Sequence, residues 1–185
     1  MKNKKFLEKY INNFSNHIND TKKNLDIFLK IIKILRKYNK KKNKVHIFGN
    51  GGSSAIASHF SMDLTNNSNI KCLNYNDASL ITCYSNDFGF SNWISRVIDK
   101  YGYKDDLLII VSSSGRSKNM INAIKSAKQK KFSNIITLTG FSKNNPVKKA
   151  GDLNLWLDSD EYNIIENIHQ FWLLMVVDLI KKVSH

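Results

Sequence analysis

Two stretches of the chain combine glycine and hydroxyl side chains in a way suited to holding an anion. Gly49-Asn50-Gly51-Gly52-Ser53-Ser54 and Ser112-Ser113-Ser114-Gly115-Arg116-Ser117 each follow a short apolar run and precede a helical one. A glycine-rich turn between a strand and a helix points backbone N–H groups outward at the positive end of the helix, a setting that favours phosphate. The first loop has neither the Lys of a Walker loop nor the GxGxxG spacing of a dinucleotide site. The expected ligand is therefore a small phosphorylated or hydroxylated molecule, with no nucleotide cofactor. Two simpler explanations compete: glycine needed only for the turn, and Ser114 or Ser117 serving only as helix caps.

Acid–base candidates lie on two helical stretches. His59 and Asp63 are four apart after the first loop, and Glu166, His169 and Gln170 are three and four apart near the end of the chain. Each set shares one helix face. Polar groups on an otherwise apolar helix must find partners. The functional reading places these faces at the cleft, for proton transfer or around a divalent metal; the alternatives are caps, ion pairs and a core histidine. Glu166 is the expected general base, Asp63 and His169 candidates for a second proton transfer, and His59 a candidate for a metal or a hydroxyl. His17, His46 and His185 have no such context.

The elements that must position these groups can be read from hydropathy. After Lys44 the short apolar runs 45–49, 70–74, 107–112, 134–140 and 153–158 alternate with longer helical stretches. Several are apolar on consecutive residues, as in strands buried on both faces. Alternation of strand and helix predicts an α/β fold with a parallel sheet. If strands one and three are neighbours, both loops open onto one cleft at the carboxyl ends of the strands. Pro146 is expected in a loop after the fourth strand. A last helix is expected from about Glu161 to Lys182, buried around Phe171–Val177.

Residues 1–44 show no strand signal. Phe6, Leu7, Tyr10, Ile11, Phe14 and Ile18, then Leu25, Phe28, Ile31, Ile32, Leu35 and Tyr38, recur at helical spacing. They predict two amphipathic helices, the second capped by Asp20 or Thr21, with Lys40–Lys44 as a linker. This divides the chain into an N-terminal oligomerisation segment, 1–44, and a ligand-binding domain, 45–185.

Residues 1–44 hold thirteen Lys and one Arg against Glu8, Asp20 and Asp26, a net +11 of the chain's +14. The chain has 26 Lys but three Arg, alongside 24 Asn. That pattern fits solvated helix faces under a coding bias better than a nucleic-acid grip, where Arg reads bases. The longest apolar run, Phe171–Val177, is far short of the ~20 residues of a membrane span. The first residues have no apolar core of a signal peptide. Cys72 and Cys83, eleven apart, match no zinc spacing and are expected as buried thiols in a reducing cytoplasm.

GNGGSSAIASHF at 49–60, Asn86-Asp87, and SSSGRS at 112–117 together resemble the sugar isomerase (SIS) domain, and within it the phosphoheptose isomerase group. The resemblance covers nearly the whole chain. It implies a three-layer αβα sandwich around a five-stranded parallel sheet, and a homotetramer. It also implies isomerisation of sedoheptulose 7-phosphate to a heptose 7-phosphate. On this likeness Asn50, Gly51, Gly52 and Ser53 belong to the first substrate loop, Asn86 and Asp87 to a sugar-contacting pair, and Ser112, Ser113, Ser114 and Ser117 to the phosphate cradle. His59 matches a zinc ligand, and the likeness makes His59, Asp63 and Glu166 the candidate metal set. Segments 74–90 and 164–180 resemble a branch associated with surface-polysaccharide sugars.

Three positions depart from the family pattern. Its catalytic Glu falls on Asp63, its substrate- and metal-binding Gln on Glu166, and its zinc-binding His on Leu174, which cannot ligate or move a proton. The leading expectation is a cytoplasmic phosphosugar isomerase working through an enediol, with zinc or another divalent metal as the candidate cofactor. The alternatives are a non-catalytic SIS protein resembling replication-initiation regulators, and a sugar-phosphate sensor.

Overall fold

The computed structural model describes residues 2–39 and 42–183, so Lys40, Lys41 and His185 lie outside the described residues. Helices α1 (Lys2–Asp20) and α2 (Leu25–Arg36) are joined by a 3-10 turn, Thr21–Asn24. The alternating part follows as β1 (Val45–Gly49), α3 (Gly52–Ser68), β2 (Cys72–Leu73), α4 (Ala78–Phe88), α5 (Trp93–Tyr101), β3 (Leu107–Ser112), α6 (Lys118–Gln129), β4 (Asn134–Thr139), α7 (Pro146–Ala150), β5 (Leu153–Trp156) and α8 (Tyr162–Val183). The five strands form one parallel sheet in the order β2-β1-β3-β4-β5. The order reverses between β1 and β3, whose register runs from Val45 opposite Leu107 to Gly49 opposite Val111.

Successive strand residues point to opposite faces, and each face has its own helices. Val45, Ile47, Leu107, Ile109, Val111, Ile136 and Leu138 pack with α2, α3 and α8. Phe48, Leu108, Ile110 and Ile135 pack with α5, α6 and Val147 of α7. The parallel sheet is that expected from the alternation of strand and helix, and the three layers are those the resemblance implies. Among the described residues no helix is long and apolar enough to cross a membrane.

Several local expectations change. Pro146 opens helix α7, where its missing N–H costs nothing, and Asn145 caps that helix by accepting from Lys148 N at 2.8 Å. The side chains of Asp20 and Asn24 cap nothing at the 3-10 turn or α2. Thr21 instead donates to the His17 carbonyl and accepts from Trp172 Nε1 at 2.8 Å, tying the turn to α8. Cys72 is buried, but Cys83 is exposed on α4, a helix with no buried residue.

His46, which had no expected role, is wholly buried at the amino end of the sheet and bonds Asp106 at 2.9 Å. Burial alone would raise the Asp106 carboxyl. The bonds from His46 and from the backbone N–H groups of Lys44 and Tyr103 outweigh it and hold that carboxyl below its usual range.

Candidate active site

The first loop works because of its glycines. Gly51 adopts φ +54, a conformation side chains rarely take, and α3 starts at once, with Ser54 N–H donating to the Gly51 carbonyl. At Gly52 there is no space for a side chain: an ideal Cβ would lie 2.1 Å from Glu166 Oε2. This close approach lets the Glu166 carboxylate accept the Ser53 backbone N–H at the start of α3. Burial pushes the Glu166 carboxyl above the usual carboxylate range, and the Ser53 bond partly offsets that.

The second loop meets the first across the switch point. Asn50 and Asn119 exchange side-chain amide bonds at 2.9 and 3.1 Å, locking the two loops together. Between them lies a cavity of about 110 Å³, whose lining includes Asn50, Ser53, Ser112, Ser113, Ser114, Ser117 and Glu166. It is smaller than the roughly 300–1,000 Å³ of an enclosed ligand pocket, and suits one charged end of a ligand. The Ser113 hydroxyl is buried without a hydrogen-bond partner, and such a group is normally satisfied. Ser117 occupies the N-cap position of α6 without making a side-chain cap bond, so capping does not account for it. Ser114 accepts only a long bond, 3.4 Å, from Arg116 N.

Two lining or locking residues were not anticipated. Tyr162 lines the cavity from the first turn of α8, its ring 4.8 Å from that of Phe141. Asn119 follows the serine loop by two positions. Its amide character was visible in the sequence, but not its partner in another loop.

The remaining candidates separate. His59 and Asp63 do meet: Nε2 lies 3.3 Å from Asp63 Oδ2, and Nδ1 lies 3.3 Å from Gln170 Nε2 on α8. This cluster stands outside the residues that line the cavity.

His169 corrects an expectation. Three residues from Glu166, it falls on the inward side of α8, wholly buried, with Nε2 donating to the Thr139 carbonyl at 3.3 Å and the ring against Trp172. It is a core histidine. Asn86 and Asp87 also fall elsewhere, in the exposed last turn of α4, where Asn86 donates to Asp87 and Cys83 Sγ lies 3.7 Å from its other oxygen. Neither residue lines the cavity, and α4 has no buried residue.

The donor set does not fit a metal centre. Among the described residues no three His, Cys, Asp or Glu side chains are grouped so as to hold an ion. Both His59 nitrogens are engaged, and Leu174 offers only methyl groups.

Burial lowers the His169 pKa from 6.5 to about 4. The fold thus favours the neutral ring, and the stability it contributes is complete above pH 6.5 and lost as pH falls toward 4. Between pH 7 and pH 4 this group should remove about 3 kcal/mol, at 1.36 kcal/mol per pKa unit. Denaturant titrations at both pH values should show a smaller acid loss in His169→Gln than in the parent. An equal loss would refute the assignment.

A doubly wound sheet with two polar loops facing each other at its switch point defines a three-layer α/β protein. Residues 9–140 match the SIS domain, and the chain belongs to that family. It is 31% identical over 169 residues to a phosphoheptose isomerase of Buchnera aphidicola, an alignment covering 88% of this chain and 86% of that one. It is 42% identical over 123 residues to a phosphoheptose isomerase of Hamiltonella defensa, covering 64% of this chain and 59% of the relative's length. The structure of a phosphoheptose isomerase from Francisella tularensis superposes with a TM-score of 0.90 over 98% of this chain and all of its own, at 24% identity.

Proposed function

We propose that this chain is a phosphosugar aldose–ketose isomerase that converts sedoheptulose 7-phosphate to a heptose 7-phosphate for surface-polysaccharide synthesis. The observation that carries the proposal is the placement of Glu166. A carboxylate with a raised pKa shares one cavity with two anion-holding loops and an unpartnered buried hydroxyl. Relatives that bear the name phosphoheptose isomerase support it.

In this reading the serine loop and the start of α6 hold the phosphate, and the carbonyl end of the sugar faces Glu166. The Glu166 carboxylate removes a proton from C1, the electron pair passes to the carbonyl oxygen to give an enediol, and the proton returns at C2. Transfer between the two oxygens falls to the Tyr162 hydroxyl. His169 is sealed in the core and Asp63 is committed to His59. A purely binding role is favoured by one observation, Leu174 in place of a ligating residue.

The test is thermal stabilisation. A ligand that binds only the folded state at a hundred times its Kd stabilises by about 2.7 kcal/mol. Sedoheptulose 7-phosphate should raise the Tm well beyond sedoheptulose itself, and Ser113→Val should erase the difference. Equal shifts for both sugars would remove phosphate recognition from the account.

The protein also works as a homo-oligomer, a tetramer by family likeness. Helix α1 buries none of its residues and leaves Phe6, Leu7 and Ile11 about 60% exposed. An apolar groove of about 430 Å³ beside Leu29, Ile32 and Leu179 opens on the surface between α2 and α8. Faces of this kind call for a partner. Light scattering at micromolar concentration should report several copies, and a monomer would contradict this. A sugar phosphate as substrate, and Cys72 and Cys83 as free thiols, support a cytoplasmic location.

A further inference from the structure

We propose that Gln170 is a positioning residue that sets the tautomer of His59 and thereby makes this site independent of metal. The inference rests on the isomerase reading for its catalytic consequence, though not for its structural content.

Gln170 lies four residues beyond Glu166, on the same face of α8. Its Nε2 is 3.3 Å from His59 Nδ1. An amide nitrogen donates and cannot accept, so Nδ1 must present its lone pair. The ring proton then sits on Nε2, which lies 3.3 Å from Asp63 Oδ2. The result is a chain of contacts: the amide donates to Nδ1, and the protonated Nε2 stands 3.3 Å from the carboxylate. Each link has one proton, and the neutral ring completes it.

The chain uses both ring nitrogens. A metal would need a free lone pair on one of them, but Nδ1 is covered by the amide and Nε2 carries the proton. The neighbouring positions supply no substitute. One turn beyond Gln170 stands Leu174, and no group of three potential ligands exists among the described residues. Glu166 takes no part in the chain, because its hydrogen bond goes to Ser53 N–H. It therefore stays available for proton transfer, while Gln170 and His59 join α8 to α3 outside the residues that line the cavity. Gln170 acts on the reaction only through His59.

The experiment combines 15N NMR of the His59 ring, calorimetric titration with zinc chloride, and turnover of sedoheptulose 7-phosphate with and without a chelator. The intact protein is compared with Gln170→Leu and Gln170→Asn. The parent should show a bare Nδ1 and a protonated Nε2, negligible zinc binding, and turnover unchanged by chelator.

Gln170→Leu should mix the tautomers and free Nδ1. Zinc affinity should then rise roughly 10-fold or more, the scale on which groups bonded to a ligand influence a metal, and kcat should fall more than KM rises. Gln170→Asn, keeping the amide, should restore part of the parent's tautomer ratio. A protonated Nδ1 in the parent, one zinc bound per chain, or turnover abolished by chelator would each overturn the proposal. Absence of turnover on any sugar phosphate, with the tautomer and zinc results as expected, would instead defeat the isomerase reading and leave the assignment of Gln170 standing.

Discussion

Glu166→Gln should lower turnover by roughly 10²-fold or more, the scale expected for loss of a general base, while sedoheptulose 7-phosphate still raises the Tm. The amide keeps the shape of the side chain and an oxygen to accept the Ser53 N–H, so the cavity should survive. What is lost is the group that takes the proton. Because burial raises the Glu166 carboxyl, activity of the parent should climb with pH through a midpoint above that of an exposed carboxylate. The charged form is the base, so the acid side is the inactive side. That limb should vanish from the residual activity of Glu166→Gln. Equal turnover in variant and parent would remove Glu166 from the mechanism.

The second large effect is expected at Gly52. A methyl group there would overlap the Glu166 carboxylate, with Oε2 at 2.1 Å and Cδ at 2.7 Å. The obstacle is the end of a flexible side chain, so Gly52→Ala should fold, with Glu166 swung out of place. Misplacement by about 1 Å can cost ~10²-fold in rate. Turnover should fall on that scale with only a small change in Tm. Gly49→Ala is the contrasting variant, because its methyl would strike the Ser53 backbone carbonyl at 2.2 Å. Backbone at a helix start cannot move aside cheaply, so Gly49→Ala should lose stability and activity together. Parallel behaviour of the two variants would show that Gly52 serves the turn alone.

The strands were legible because burial on both faces leaves consecutive apolar residues, as in Leu107–Val111, a pattern that no surface element shares. Both loops were legible because their glycines and hydroxyls sit where apolar runs stop. Glu166 was legible as a charge on an apolar helix. Less could be read where two positions on one helix differ by a fraction of a turn. His169 and Gln170 are adjacent in sequence, yet one is sealed against Trp172 and the other reaches His59. Spacing alone allowed both to face the cleft, and only the packing of α8 on α3 separates them. Helix α4 misled for a different reason. Its Leu80, Ile81 and Tyr84 only partly cover the second core, and Asn86 and Asp87 at its end are not among the residues that line the cavity. Cys83 was expected inside because its spacing from Cys72 matched no zinc site, and it lies on that same exposed helix.

The isomerase reading is tested most directly by one-dimensional proton NMR of sedoheptulose 7-phosphate incubated with the protein in deuterium oxide. An enediol route predicts growth of an aldose heptose 7-phosphate signal up to a constant ratio, with solvent deuterium at C2 of the product and at C1 of the remaining ketose. No aldose and no exchange at C1, under conditions where the same sugar phosphate raises the Tm, would contradict it and leave a protein that binds phosphosugars without turning them over.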